Sequence, residues 1–189
     1  FCGGTRDPGP LTDEGRQLLK AMADIGFGLD LSHMDELSAR QSLDSYPGPI
    51  LASHANAAAL IPDYSGNRHL PDDVIKKLAG REGVIGLLPS CKFLDYGWQR
   101  GDPRSSVPLE RLAAHVDHIC QLAGDARHVG LGSDFDGGFG VEAVPAELDT
   151  VADLQKLVPI LQAKGYNDED VAAILGQNWL RFLQNCLPQ

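Results

Sequence analysis

Residues 28–33 read GLDLSH and residues 49–54 read PILASH. Each is a short apolar run that ends on a histidine where the chain turns polar, His33 in the first and His54 in the second. Apolar runs of this length, bounded by Gly and Pro, read as buried strands. If the two strands lie side by side and parallel, both imidazoles stand on one rim. How they pair therefore decides the fold.

Working outward, the same alternation continues. FCGGTRDPGPL (1–11) reads as a loop, and because the chain starts on Phe1 we expect it to be processed or part of something longer. Thr12 can cap a helix in which Leu18, Leu19, Met22 and Ile25 recur at helical spacing until Gly26. A second helix is expected over about 34–46, then Pro47-Gly48 and the strand PILAS. A long loop over 55–70 leads to PDDVIKKLAG, with Pro71 suited to a first helical turn.

Further on, GVIGLLPS (83–90) reads as a buried strand, LERLAAHVDHICQLAG (109–124) as an amphipathic helix, and HVGLGSDFDGG (128–138) as a strand ending in acids and glycines. Helices over about 149–164 and 167–186 close the chain. Strands this apolar, alternating with helices, imply an α/β fold with parallel strands covered by helices. An open doubly wound sheet and a (β/α)8 TIM-type barrel both fit that order. The barrel is favoured because no phosphate-binding glycine loop follows any strand, and because His33, His54 and Asp134 all sit at strand C-terminal ends. Four strands make half a barrel, so the chain is expected to be one domain, 1–189, supplying that half.

Composition narrows the function. A net charge of −10 argues against nucleic-acid and anionic-membrane surfaces, since no excess of Lys and Arg is there to neutralise phosphates. No apolar run approaches the roughly 20 residues of a membrane span, and no signal-like leader is visible. A soluble protein follows, and a cytoplasmic one is the expectation. Cys2, Cys91, Cys120 and Cys186 are scattered, which disfavours a structural zinc ribbon and leaves the redox compartment open. Cys120 reads as a buried small hydrophobe. Two strand-end histidines with Asp134 at the same mouth point to a metal-assisted site, because neutral imidazole is a good zinc ligand and an adjacent acid can move protons.

The runs LTDEGRQLLKAMADIGFGLDLSHMDE, PILASHANA, NRHLPDDVI, GVIGLL, HVDHICQLAG, HVGLGSDFDG and GQNWLRFL occur together and in order. They resemble the C-terminal half of the membrane dipeptidase (renal dipeptidase) family of zinc peptidases, within the amidohydrolase-type barrels. The resemblance implies that His33 and His54 are the histidine ligands of a binuclear zinc site. It implies that Asp134 takes a proton from a metal-bridging water and returns it to the leaving amine, and that Arg68 holds the terminal carboxylate of a dipeptide. His69 departs from the family pattern, where an asparagine is expected. The family's remaining ligands, an HxD pair and a bridging glutamate, have no counterpart in this chain.

We therefore expect a longer native protein, or a partner such as a second copy or an N-terminal half, to complete the barrel. An isolated half would leave two strand edges unpaired. An inactive fragment or binding protein, and another metal-dependent amidohydrolase of lactonase or deaminase type, are the competing readings. His115 and His118, spaced i, i+3 on a helix, are expected to be structural, and His128 lies at the wrong end of its strand for catalysis. Asp30 reads either as a hydrogen-bonding partner at the mouth or as a buried structural acid.

Overall fold

A computed structural model describes residues 1–61 and 63–187. Helix α1, Asp13–Asp24, starts where Thr12 accepts from the Gly15 N–H, and it is followed by Gly26 in the left-handed region. Of its apolar stripe, Leu19 is buried but Leu18 is 46% exposed. Strand β1, Leu29–Asp30, leads to α2, Glu36–Ser45, which Asp35 caps by accepting from Leu37 N–H. Strand β2, Ile50–Leu51, is followed by α3, Asp72–Ala79, with Pro71 at the N-cap position and Lys76 and Lys77 in the last turn. Strand β3, Ile85–Leu87, the short α4, Cys91–Leu94, and α5, Glu110–Ala123, come next. After β4, Val129–Leu131, the chain closes with α6, Leu157–Ala163, α7, Asp168–Ala172, and α8, Asn178–Cys186.

The strands pair in chain order and in parallel. Leu29 and Asp30 register with Ile50 and Leu51, and Ile85, Gly86 and Leu87 with Val129, Gly130 and Leu131. A single parallel bridge, Ala52 with Ile85, joins the two pairs. This order lacks the reversal that a doubly wound sheet requires. The strands are shorter than the apolar runs, but single backbone bonds carry the pairing past their ends, from Leu31 N–H to Leu51 O, Ala55 N–H to Gly86 O and Gly132 N–H to Leu87 O.

Alternation along the first two strands decides what faces where. Leu29, Leu31, Ile50 and Ala52 are buried in the helix-covered core, whereas Asp30 and Ser53 fall on the more open face. The core then runs through Val74, Ile75 and Leu78 of α3 and Leu112, Val116 and Ile119 of α5.

The stretch 55–70 is the expected loop, with one 3-10 turn at Ala58–Leu60, but its two ends are buried: Ala55, Asn56 and Ala57 at one, Arg68, His69 and Leu70 at the other, with a parallel bridge between Ala57 and Leu70. Buried backbone must find partners, and Asn56 supplies several. Its amide donates to the Leu88 and Phe93 carbonyls (3.0 and 3.1 Å) and accepts from Leu88 N–H (3.0 Å).

The outer edge of β4 pairs with no further strand among the described residues, but it is not bare. His128 O and the Gly132 N–H bond to β3, so the carbonyls of Val129 and Leu131 point away from it. Asn178 Nδ2 donates to Val129 O (2.8 Å) and Trp179 Nε1 to Leu131 O (2.9 Å). Cys120 is buried, and all four cysteines are free thiols. No helix among the described residues is long and apolar enough to cross a membrane.

Candidate active site

The ends of β1, β2 and β4 bring three of the sequence candidates to one mouth. His33 and His54 face each other through Nε2, 3.1 Å apart, and Asp134 Oδ2 lies 3.9 Å from His54 Nε2. His33 (φ 65°) and Asp134 (φ 53°) both occupy the left-handed region. That conformation is uncommon outside glycine and costs of order 1 kcal/mol or more, so the surroundings must hold it. It turns each side chain back over the strand ends.

Beneath the rings lies a network centred on Asp30. Its Oδ1 accepts the backbone N–H groups of Ser32 and Ser53, both at 2.9 Å, and its Oδ2 accepts the Ser53 hydroxyl at 2.5 Å. Ser53 Oγ is also 2.7 Å from His54 Nδ1, and Ser32 Oγ accepts the His54 N–H at 2.9 Å. Thr5 Oγ1 stands 3.4 Å from His33 Nδ1. Both histidines thus turn Nδ1 toward a hydroxyl and Nε2 toward the mouth. Burial pushes the Asp30 carboxyl up, but the hydrogen bonds from Ser53 and Ser32 outweigh it and the net shift is downward.

Arg68 completes the group from the folded-in stretch. Only 5% exposed, it donates from Nη2 to the His54 carbonyl (2.7 Å) and lies over the Phe93 ring. Its Nε and Nη1 are buried with no hydrogen-bond partner among the described residues. Burial works against its charge, and Asp134, Tyr64 and Asp30 offset part of that. The guanidinium in turn pushes both mouth histidines down: burial comes first and Arg68 second, with Asp134 and Asp30 opposing. Neutral imidazole, the form that can ligate a metal, is therefore favoured at both positions.

The donor set can be compared with what a zinc ion requires. Two nitrogens bound at 2.0–2.1 Å in a tetrahedron would lie about 3.3 Å apart, close to the observed 3.1 Å. The pair fits two ligand positions on one ion. Among the described residues, no three His, Cys, Asp or Glu side chains are disposed to hold a metal. The residues present therefore fit part of a metal centre.

The other histidines have different work. His115, 1% exposed, accepts the Ala57 N–H at Nδ1 (3.2 Å), and His69, also 1% exposed, accepts the Asn56 N–H at Nδ1 (3.3 Å). His118 pairs with Asp72 (2.8 Å), and His128 Nδ1 meets Gly83 O (3.0 Å) at the far end of its strand. Asp136 is exposed beyond the mouth. Tyr64, which no spacing singled out, accepts the N–H groups of both Arg68 and His69 at its hydroxyl. Of the two readings of Asp30, the structure has the hydrogen-bonding partner at the mouth.

Comparison with known proteins adds to this geometry. The model of the membrane dipeptidase family (peptidase family M19) matches residues 3–186. A protein of Klebsiella pneumoniae encoded in the pqqA 5′ region is 35% identical over 189 residues, covering 98% of this chain and 65% of its own. The dipeptidase tcpJ of Claviceps purpurea is 31% identical over 177 residues, covering 92% of this chain and 38% of its own.

Among solved structures, a metallopeptidase from Rhodobacter sphaeroides, liganded with a phosphinate mimic of the dipeptide L-Ala-D-Ala, superposes with a TM-score of 0.83 at 29% identity. It covers 97% of this chain and 50% of its own. An amidohydrolase from Pseudomonas aeruginosa gives a TM-score of 0.80 at 21% identity, over 97% of this chain and 60% of its own, a likeness of fold alone. The chain thus spans less than two thirds of the length of each of these relatives.

Proposed function

The chain belongs to the membrane dipeptidase family of metallopeptidases, and from that premise we propose that it forms the C-terminal half of a (β/α)8 barrel whose complete form is a zinc-dependent dipeptidase. The observation that carries this reading is the pair of imidazole Nε2 atoms 3.1 Å apart beside a buried guanidinium with two unpartnered nitrogens. The imidazoles suit a metal and the guanidinium suits an anion, and a dipeptide offers a free carboxylate next to the bond to be cut.

His33 and His54 would hold the metal, with the other ligands coming from the half of the barrel outside this chain. A bound zinc supplies Lewis acidity toward the peptide carbonyl and lowers the pKa of water. Arg68 takes the terminal carboxylate through Nε and Nη1, and a charge-assisted contact there fixes the register of the scissile bond. Asp134 accepts a proton from the attacking water and delivers it to the departing amine, so the C–N bond breaks with a neutral leaving group.

Metal content and dipeptide hydrolysis of the full-length protein, before and after chelation, test the proposal. Activity that is lost with the metal and restored by zinc is expected, with dipeptides cut and their C-terminal amides spared. Hydrolysis that survives chelation, or a preference for lactones or nucleobases over dipeptides, would sink it. The 189-residue chain alone should bind zinc weakly, since it brings two of the ligands.

A further inference from the structure

We infer that Asp30, acting through the hydroxyl of Ser53, fixes His54 as its Nδ1–H tautomer and so keeps the Nε2 lone pair facing His33. The inference deepens the metal-ligand reading of His54 and rests on it for its purpose; the proton placement itself can be measured without metal.

The argument is a count of protons. An ionised carboxylate only accepts, and a serine hydroxyl has one proton to give. Ser53 Oγ has three neighbours within reach: Asp30 Oδ2 at 2.5 Å, His54 Nδ1 at 2.7 Å and Ser32 Oγ at 3.2 Å. Its proton goes to the carboxylate, because a hydrogen bond to an ionised acceptor is roughly twice as strong as one between neutral groups. Ser53 Oγ is then left with lone pairs for His54, and a 2.7 Å contact to Nδ1 is a hydrogen bond only if Nδ1 carries the proton.

A neutral imidazole has a single N–H, so Nε2 is bare. It is the atom 3.1 Å from His33 Nε2. Ser32 Oγ, accepting the His54 backbone N–H at 2.9 Å, holds the same residue from its main chain. Pleat and register explain the spacing: Asp30 and Ser32 share a face of β1 by alternation, and pairing of Asp30 with Leu51 brings Ser53 alongside. Asp30 is a positioning residue, two bonds removed from any reacting atom.

The decisive comparison is between wild type and Asp30→Asn in the full-length protein, labelled with 15N-histidine and stripped of metal, at a pH where the rings are neutral. An asparagine amide can donate to Ser53 Oγ, which frees the hydroxyl proton for Nδ1 and moves the ring proton to Nε2. Long-range 1H–15N spectra should show His54 as Nδ1–H in wild type and Nε2–H in Asp30→Asn. Ser53→Ala, a second variant that leaves the Asp30 carboxylate and its two backbone N–H partners in place, should give a mixture of the two tautomers.

Titration with Co2+, read by its visible absorption, should show affinity falling about 10- to 100-fold in either variant, the range for second-sphere partners of a metal histidine. His54 found as Nε2–H in wild type, or unchanged in both variants, overturns the inference. A tautomer change with unaltered Co2+ affinity supports the inference and overturns the metal-ligand reading beneath it.

Discussion

Arg68 shows how much a single residue can say about a missing ligand. A buried guanidinium with two unpartnered nitrogens is costly unless an anion arrives, and among the described residues the Arg68 side chain makes one hydrogen bond, to the His54 carbonyl. Arg68→Ala in the full-length protein should lower kcat/KM for dipeptides by about 10- to 100-fold, chiefly through KM, the range for loss of a charged hydrogen bond. The same variant should leave the weak binding of C-terminal amides, read as competitive inhibition, nearly unchanged; equal weakening of both would count against the carboxylate role. For Asp134→Asn the expected loss is about 10²- to 10⁴-fold, and in kcat, as for a residue that moves a proton. Steady-state kinetics on both variants checks the split.

His69 and His115 carry a prediction of a different kind. Burial, followed by the Arg68 and His115 charges, pushes His69 down to about 3; burial, followed by His118 and Arg111, pushes His115 down to about 4. Unfolded, each would titrate near 6.5. Between those values the unfolded chain binds more protons than the folded one, so stability rises with pH and is lost as pH falls below about 6.5. From pH 7 to pH 5 the loss should be on the order of 1–2 kcal/mol for each histidine, visible as a falling urea midpoint. His115→Gln retains an acceptor for the Ala57 N–H and removes one titration, so it should flatten the dependence by about 1–2 kcal/mol over that range, the share of one histidine. An unchanged slope would mean that other groups control it.

At the scale of elements, glycines decide how close the strand ends can come. A Cβ on Gly86 would sit 2.0 Å from the Ser53 carbonyl oxygen and 2.9 Å from the Gly132 Cα. One on Gly132 would meet the same oxygen, also at 2.0 Å. These are backbone contacts that cannot rotate away. Gly86→Ala or Gly132→Ala should cost about 3 kcal/mol or more, the upper part of the overpacking range, and should displace the Ser53-His54 corner that delivers the ring. Thermal melts showing no loss would mean that the β2 end can shift freely. The helices and strands themselves were legible from apolar periodicity and helix-start residues, as at Thr12 and Pro71. The packing of 55–70 was not: its partners Leu88, Phe93 and His115 lie 32 to 58 positions away, and no local pattern encodes such distances.

For the whole molecule, exposed apolar side chains include a group near each end of the chain, besides Leu37, Tyr96, Val141 and Val151 between them. Leu18, Ile25 and Phe27 lie on or just after α1, and Leu180, Leu183 and Leu187 on or just after α8. If the chain is half of a barrel, as proposed, helices of the other half would have these side chains to cover. The chain produced alone should therefore self-associate and bind a hydrophobic dye more strongly than the full-length protein, as light scattering after gel filtration and fluorescence would show. A monodisperse 20.3 kDa species without dye binding would argue against the half-barrel proposal. The Asn178 and Trp179 contacts to β4 act in the opposite direction, giving two edge carbonyls partners within the chain.

The sequence by itself determined the alternation of apolar strands with amphipathic helices, the parallel class, and the placing of His33, His54 and Asp134 at strand ends. Each of these follows from residues a few positions apart, through periodicity, capping and turn chemistry. Only the tertiary structure decided that two imidazoles meet at Nε2, that Arg68 is buried with nitrogens to spare, and that Asp30 collects the serines behind His54. Those facts depend on strand register and on burial. Both are set where distant segments pack together and every buried polar group must find a partner, an accounting that closes only in three dimensions.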